Sequence, residues 1–336
     1  MTPRDRFLAG CTEQEIEELS VAPFLKATAC EIAGVSIKSY CERAEDMARA
    51  QLECARAFDV DSVNVASDVL IEAETMGSTS TRPENDFPKL DKPALDSMTV
   101  DEIPIPDVTS DGRFPMKIGA VRRLANEDYA VISWVMSAYQ LAAQLRGFKN
   151  MIIDLMRGDE KVEPLLDKCL KVSEEFAKVL IDEGSDVIAI GNASSSMDVL
   201  SPKTYRANLA EYDRRLARSI EKYGAMSQMH ICGDTTPILQ DLDEMVDIVD
   251  VDHKVKIEDS LAHLKRGVLK GNLDPSVVRF SKPEEVREKT TSIVEAVKED
   301  GREGLFVFST GCEVPPRTPA ESITLMVESA RKTWSA

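Results

Sequence analysis

Histidine is scarce in this sequence, with 3 in 336 residues, and aromatic residues make up only 5% of it. Long apolar runs are missing as well. The longest, over residues 130–145, is interrupted by Ser133, Ser137, Gln140 and Gln144, too polar for the roughly 20 apolar residues of a membrane helix. The opening MTPRDRFLAG has no apolar core of leader length, so the expected location is the cytoplasm. Basic charge is in deficit: 41 Lys and Arg against 59 Asp and Glu give a net charge of −18. Such a field repels nucleic-acid phosphates and anionic lipids on average, which argues against both as partners. Arg113, Lys117, Arg122 and Arg123 read as scattered surface charge rather than a binding patch. Cysteine is present but odd in number, 7 from Cys11 to Cys312, which points to free thiols or metal ligands rather than a disulfide framework.

What is there is a rhythm. Seven apolar, β-rich runs end in polar or glycine-containing turns: 60–68, 129–136, 185–193, 225–233, 246–253, 267–275 and 304–312. Most are separated by amphipathic stretches of helical length, several opening at Pro164, Pro202, Pro237 or Pro283. This is the pattern of βα units around a parallel sheet, and it predicts an α/β chain folded as a (β/α)8 TIM barrel. One strand of eight is not located, the run at 129–136 has a helix as its alternative, and an open doubly wound sheet is the second architecture. From 78 to 115 the periodicity disappears, and 6 of the 16 prolines fall within 83–115. A segment that long covers a site, meets a partner or is a plain surface excursion.

In a barrel the strand C-termini build the active site, so the residues ending each run are the candidates. They are Asp68, Asn192 with Ser194 and Ser195, His230 with Cys232, Asp252 with His253, Asn272 with Asp274, and Cys312 with Glu313. On an extended strand His230 and Cys232 point the same way. With Cys312 from another strand end they make a Cys2His set, which suits zinc and leaves a fourth position open for a reactant. The competing reading is ordinary: cysteine is often a small buried hydrophobe, and a strand-end histidine is often hydrogen-bonded in a core. Cys11, Cys30, Cys41, Cys54 and Cys169 lie in helix-like surroundings and read as core or surface residues, and His263 as a solvated helix residue. Adjacent residues on a strand face opposite sides, so only one of Asp252 and His253 is expected to face the mouth unless the strand bulges.

The stretches HICGDTTPILQDLDEMVDIVDVDHKV, LKGNLDP and STGCEVPPRTPAESI resemble the uroporphyrinogen decarboxylase superfamily, in particular its corrinoid-dependent methyltransferase branch, which includes the methylcobamide:coenzyme M methyltransferases. DRFLAG near the N-terminus, DSVNVASDVLIEAETMG at 61–77 and SDVIAIGNASSSMDVLSPKTY at 185–205 extend the resemblance through nearly the whole chain. It implies one barrel domain over 1–336, with zinc on His230, Cys232 and Cys312, where that branch carries its ligands. It also implies methyl transfer between a corrinoid (methylcobalamin) and a small thiol, methylthiol or methoxylated compound. The D-x-H-x-x-G corrinoid-carrying signature is absent, since the second histidine sits in VDVDHKVK, so a separate corrinoid protein is the expected partner.

On this reading His253 or Asp252 is a further ligand or a proton acceptor, Asn192 and Ser194 face the corrinoid, and Asp68 and Asn272 contact substrate. Two alternatives stay open. A tetrapyrrole decarboxylase would need arginines for substrate carboxylates in LSVAPFLKATACEIAGVS, which has none, and would leave the His/Cys/Cys set unexplained. A non-catalytic barrel that binds a corrinoid protein is the other.

Overall fold

The computed structural model describes residues 1–12 and 17–336, with the side chain of Glu303 left aside. Among the described residues there are nine strands: β1 (Ser62–Val65), β2 (Thr79–Thr81), β3 (Lys89–Lys92), β4 (Ala130–Met136), β5 (Val187–Gly191), β6 (Met226–Ile231), β7 (Ile248–Val251), β8 (Val268–Leu273) and β9 (Phe306–Thr310). Seven of them form one parallel sheet in the order β1-β4-β5-β6-β7-β8-β9, and β2 and β3 form a separate antiparallel hairpin. Each of the seven apolar runs holds one barrel strand. The run at 129–136 is strand β4, buried along its whole length, which explains why it reads as continuously apolar instead of alternating.

The eighth place is taken by residues 20–22. The Phe308 amide donates to the Ser20 carbonyl at 2.9 Å and the Ala22 amide to the Phe308 carbonyl at 2.8 Å, while on the other side the Asp61 amide reaches the Val21 carbonyl at 2.9 Å. The segment thus bridges β9 to β1 and closes the ring into a TIM-type barrel. It escapes a sequence reading because it makes a single bridge and Pro23, which has no amide hydrogen, ends it at once. Below it, Arg6 and Arg331 converge on the buried Asp61 carboxylate, with Arg6 Nη2 at 2.6 Å and Arg331 Nη2 at 3.1 Å.

Helices pack around the sheet by apolar stripes. Val162–Asp182 buries Leu165, Leu166, Cys169, Leu170, Phe176, Ala177 and Leu180, a 3–4 residue spacing that turns one face to the strands. Each large side chain so buried contributes roughly 2 kcal/mol. Cys169 belongs to this stripe, and Cys30, Cys41 and Cys54 are likewise buried on helices, so these thiols are packing groups. All seven cysteines are free. Among the described residues, no helix is long and apolar enough to cross a membrane.

The irregular segment 78–115 is less bare than its composition suggests. It folds the β2–β3 hairpin and a short 3-10 turn at Ala94–Asp96, and its end already belongs to the helix Phe114–Leu124.

Candidate metal centre

His230 stands on β6 opposite Asp250 of β7, and its Nδ1 lies 3.1 Å from the Asp250 backbone carbonyl. A carbonyl only accepts, so Nδ1 carries a hydrogen and Nε2 is the ring atom left to face the sulfurs. Nε2 is 3.5 Å from the Cys232 sulfur. Cys312 arrives two residues past β9. The glycine before it is required: a Cβ on Gly311 would stand 2.2 Å from the His253 amide nitrogen and 2.9 Å from the Asp252 carbonyl carbon. With no side chain there, the β9 end packs directly on the chain leaving β7, and the Gly311 amide donates to the Leu273 carbonyl at 2.8 Å.

His230, Cys232 and Cys312 each offer a ligand atom, and all three atoms lie within 4.8 Å of one another. Tetrahedral zinc with Zn–S near 2.3 Å and Zn–N near 2.0–2.1 Å spaces a sulfur and a nitrogen about 3.6 Å apart, so the donor set fits that ion. The sulfurs interact strongly. The Cys312 thiol is held far below the usual thiol range by the Cys232 S–H donating to it, against the opposing effect of burial, and His230 adds to the lowering. The same hydrogen bond pushes Cys232 far up. Burial disfavours protonation of His230, yet the adjacent Cys312 sulfur wins and raises it to about 9. These groups share protons that a bound dication would displace.

The wall beside the cluster is aromatic. Trp134 stacks on Phe24 at 4.7 Å, meets His230 edge-on at 6.1 Å, and donates its indole hydrogen to Asn64 Oδ1 at 3.2 Å. Lys26, nearly buried, pairs with Glu313 at 3.2 Å, next in sequence to Cys312. Phe87 from the β2–β3 loop lies under the Lys26 ammonium, 4.0 Å from nitrogen to ring centre, which brings the irregular segment to the barrel mouth.

The other strand-end candidates fall in different surroundings. Asp68 is gripped by Arg113 at 2.5 Å and caps the Leu70 amide at 2.8 Å. Asn192 is fully buried; its oxygen accepts from Ser137 and Ser195, and its amide donates to Asp213 at 2.7 Å. Asp213 also accepts from Tyr205 at 2.9 Å, and burial raises it to about 7. Ser194 is nearly buried, its amide donating to Gln140 at 2.8 Å. Asn272 donates to the carbonyls of Asp252 at 3.2 Å and Val255 at 2.7 Å, holding the loop after β7. Asp252 is buried while the His253 side chain is 33% exposed, and His253 Nδ1 sits 3.1 Å from Asp252 Oδ1. His263 is exposed, with Nδ1 2.8 Å from the Asp259 carbonyl.

The four cations read as scattered surface charge are separately engaged, and Lys117 is a correction to that reading because it is buried. Arg113 pairs with Asp68 and Glu74, Arg122 with Glu183 and Arg123 with Glu45, while Lys117 is buried against the Trp134 carbonyl. The strand-end rule passed over Gln228, Asp250 and Lys270, a hydrogen-bonded polar group beside His230. A signal existed: Asp250 and Lys270 interrupt otherwise apolar runs in mid-strand, where a charge is expensive unless paired.

Comparison with known proteins agrees with this architecture. Residues 2–333 match the family model "Uroporphyrinogen decarboxylase (URO-D)". The chain is 24% identical to the methylcobamide:CoM methyltransferase MtbA of Methanosarcina acetivorans, covering 98% of each chain. It is 27% identical to the uroporphyrinogen decarboxylase of Streptomyces avermitilis, covering 88% of this chain and 83% of that one. The solved structure of a methyltransferase from Methanosarcina mazei superposes with a TM-score of 0.88 at 20% identity, covering 99% of both chains. The resemblance read from the residues and the barrel expected from the strand pattern are both borne out: the chain belongs to the uroporphyrinogen decarboxylase (URO-D) family.

Proposed function

We propose that this protein is a zinc-dependent methyltransferase that moves a methyl group between a corrinoid held by a partner protein and a small thiol, methylthiol or methoxylated compound. One observation carries the reading: three soft ligand atoms from the ends of β6 and β9 lie within 4.8 Å at the C-terminal mouth of the barrel. The similarity to a methylcobamide:CoM methyltransferase over 98% of both chains supports the methyl-transfer chemistry.

Zinc held by His230, Cys232 and Cys312 would lower the pKa of a substrate thiol in its fourth position and keep it nucleophilic at neutral pH. The chain's own residues prepare that position. The Asp250 carbonyl fixes the imidazole so that Nε2 faces the sulfurs. Trp134 and Phe24 form an apolar wall beside it that excludes water. His253, one-third exposed and oriented by Asp252, can accept a substrate proton and release it to solvent. Asn272 secures the loop bearing that pair. In this reading Asp68, Asn192 and Ser194, held by Arg113, Asp213 and Gln140, act only through those partners.

The decarboxylase reading has the family's name and several relatives named uroporphyrinogen decarboxylase, 23% to 27% identical, behind it. Within residues 19–36 the only cation is Lys26, and its ammonium is already paired with Glu313. A substrate bearing many carboxylates would leave most of them without a partner there.

The test is metal content followed by turnover. Purified protein is expected to hold about one zinc per chain, lost in Cys232→Ala, and to transfer methyl from methylcobalamin to a member of a small thiol panel, followed by corrinoid absorbance. A folded, metal-free protein that turns over a porphyrinogen instead would transfer the assignment to the decarboxylases. Zinc with no methyl transfer to any thiol would favour a non-catalytic barrel.

A further inference from the structure

Beside the metal cluster lies a buried ion pair that the proposed chemistry does not use. Lys270 Nζ is 2.9 Å from Asp250 Oδ2, with side chains 3% and 5% exposed. Gln228 Nε2 donates to the same oxygen at 2.8 Å. The groups are consecutive across the sheet: His230 is in register with Asp250, and Asp250 with Lys270. They are neighbours on three adjacent strands, with the Asp250 carboxylate beside the imidazole.

Stability does not explain this group. Removing two charges from water costs about as much as their attraction returns, and a well-packed apolar pair in their place is often neutral or better. The group is also incompletely satisfied, since Gln228 Oε1 is buried with no hydrogen-bond partner. What the pair does have is position. Asp250 offers His230 two acceptors: its backbone carbonyl at 3.1 Å from Nδ1, and carboxylate Oδ2 at 3.8 Å. A free carboxylate is the stronger acceptor of the two, because a charged partner makes a hydrogen bond roughly twice as strong. Lys270, helped by Gln228, holds it off the imidazole.

We infer that Lys270 is a positioning residue for the metal site. It binds the Asp250 carboxylate so that His230 Nδ1 stays on the carbonyl and Nε2 stays aimed at the position shared with the two sulfurs. It also pairs the carboxylate that lies 3.8 Å from the imidazole with a cation inside the barrel. This role rests on the zinc reading above. Without Lys270, the carboxylate would draw Nδ1 toward itself, turning the ring and moving Nε2 away from its 3.5 Å spacing to Cys232. Altered outer partners of metal-bound histidines shift affinity by roughly 10–100-fold.

The experiment compares full-length wild type, Lys270→Met and the double variant Lys270→Met with Asp250→Asn. The readouts are zinc affinity by chelator competition and the visible spectrum of the cobalt(II)-substituted protein. Lys270→Met is expected to weaken zinc binding at least about tenfold and to shift the cobalt bands. The double variant, which removes the stray carboxylate charge, is expected to return both readouts close to wild type. A Lys270→Met protein with unchanged affinity and spectrum would overturn the inference, whatever its stability, and so would a double variant no closer to wild type than the single one. If Lys270→Met does not fold, Lys270→Gln takes its place, because it also leaves the carboxylate charge uncompensated. A wild-type protein that binds neither zinc nor cobalt would sink the metal reading and this inference together. Wild type binding both, with an indifferent Lys270 variant, sinks only the inference.

Discussion

The two ends of the barrel treat their polar groups in opposite ways. At the N-terminal end the buried Asp61 carboxylate collects Arg6 Nε at 2.9 Å and Nη2 at 2.6 Å, Arg331 Nη2 at 3.1 Å and the Val21 amide at 2.7 Å. At the C-terminal end His230, Cys232 and Cys312 turn ligand atoms toward one another, and the imidazole is tied only through its far nitrogen. The first arrangement joins the N-terminal segment, β1 and the last helix, Ala320–Trp334, and so closes the ring. The second, on the proposed reading, would leave a coordination position for a reactant. Ring closure and the candidate metal centre are separated along the barrel axis, as expected for this class of fold.

The sharpest way to break the contrast is to mutate one end and read both. Cys312→Ser is expected to reduce zinc from about one per chain to background by elemental analysis and to abolish methyl transfer, with the far-ultraviolet circular dichroism of wild type retained. An unfolded variant would mean that the mouth carries the closure as well. Asp61→Asn is expected to do the reverse. It removes the charge that pairs with two arginines in a buried place, which costs about 3–5 kcal/mol in urea unfolding, while zinc content per folded chain stays at the wild-type level.

A third carboxylate tests whether charged donors are what distinguish the lower end. Asp213 is as deeply buried as Asp61 but has only the Tyr205 hydroxyl and the Asn192 amide, and burial lifts its pKa from 3.8 to about 7. Between those values the native state keeps a proton that the unfolded chain has released. Its contribution to stability is therefore full below about pH 4 and is lost as pH rises to about 7. At about 1.4 kcal/mol per unit, the loss is at most about 4 kcal/mol. Urea unfolding of wild type and Asp213→Asn at pH 5 and pH 8 checks this: the variant should gain relative to wild type at pH 8, and parallel curves would refute the assignment.

The smallest expected effect sharpens the account of the mouth. Gly311→Ala forces a methyl group against the backbone at His253, with an overpacking cost of about 1–3 kcal/mol. Because the same shift displaces Cys312, zinc affinity should weaken in parallel. Affinity equal to wild type would show that the neighbouring strand end yields without moving the ligand.

The sequence showed more of the barrel than of the site. Seven strands were readable because each is a buried apolar run, and β4, with no alternation to mark it, still announced itself by β-branched and aromatic content. The closing segment at 20–22 was not, because its strand character consists of pairing on both sides rather than pattern. Strand-end position located His230, Cys232 and Cys312 as candidates, and the fold draws them together. The same rule nominated Asn192 and Asn272, whose amides are engaged with Asp213, Ser137 and Ser195 and with the Asp252 and Val255 carbonyls. An amide at a strand end looks the same in sequence whether its partner is a reactant or a neighbouring loop.

Composition and periodicity by themselves determined a parallel α/β sheet, with a closed barrel as its first architecture and an open one as its second, a net acidic charge, and a short inventory of soft ligands at strand ends. Those properties are local, set by side-chain type and by the two-residue and 3.6-residue periods of strand and helix. Only the tertiary structure decided which groups meet: that sulfurs 80 positions apart approach one nitrogen, that Gly311 leaves room for the chain at His253, and that Lys270 pairs with the Asp250 carboxylate beside His230. Distances of a few ångströms between residues far apart in the chain depend on how the ring closes, and ring closure is a property of the whole sheet.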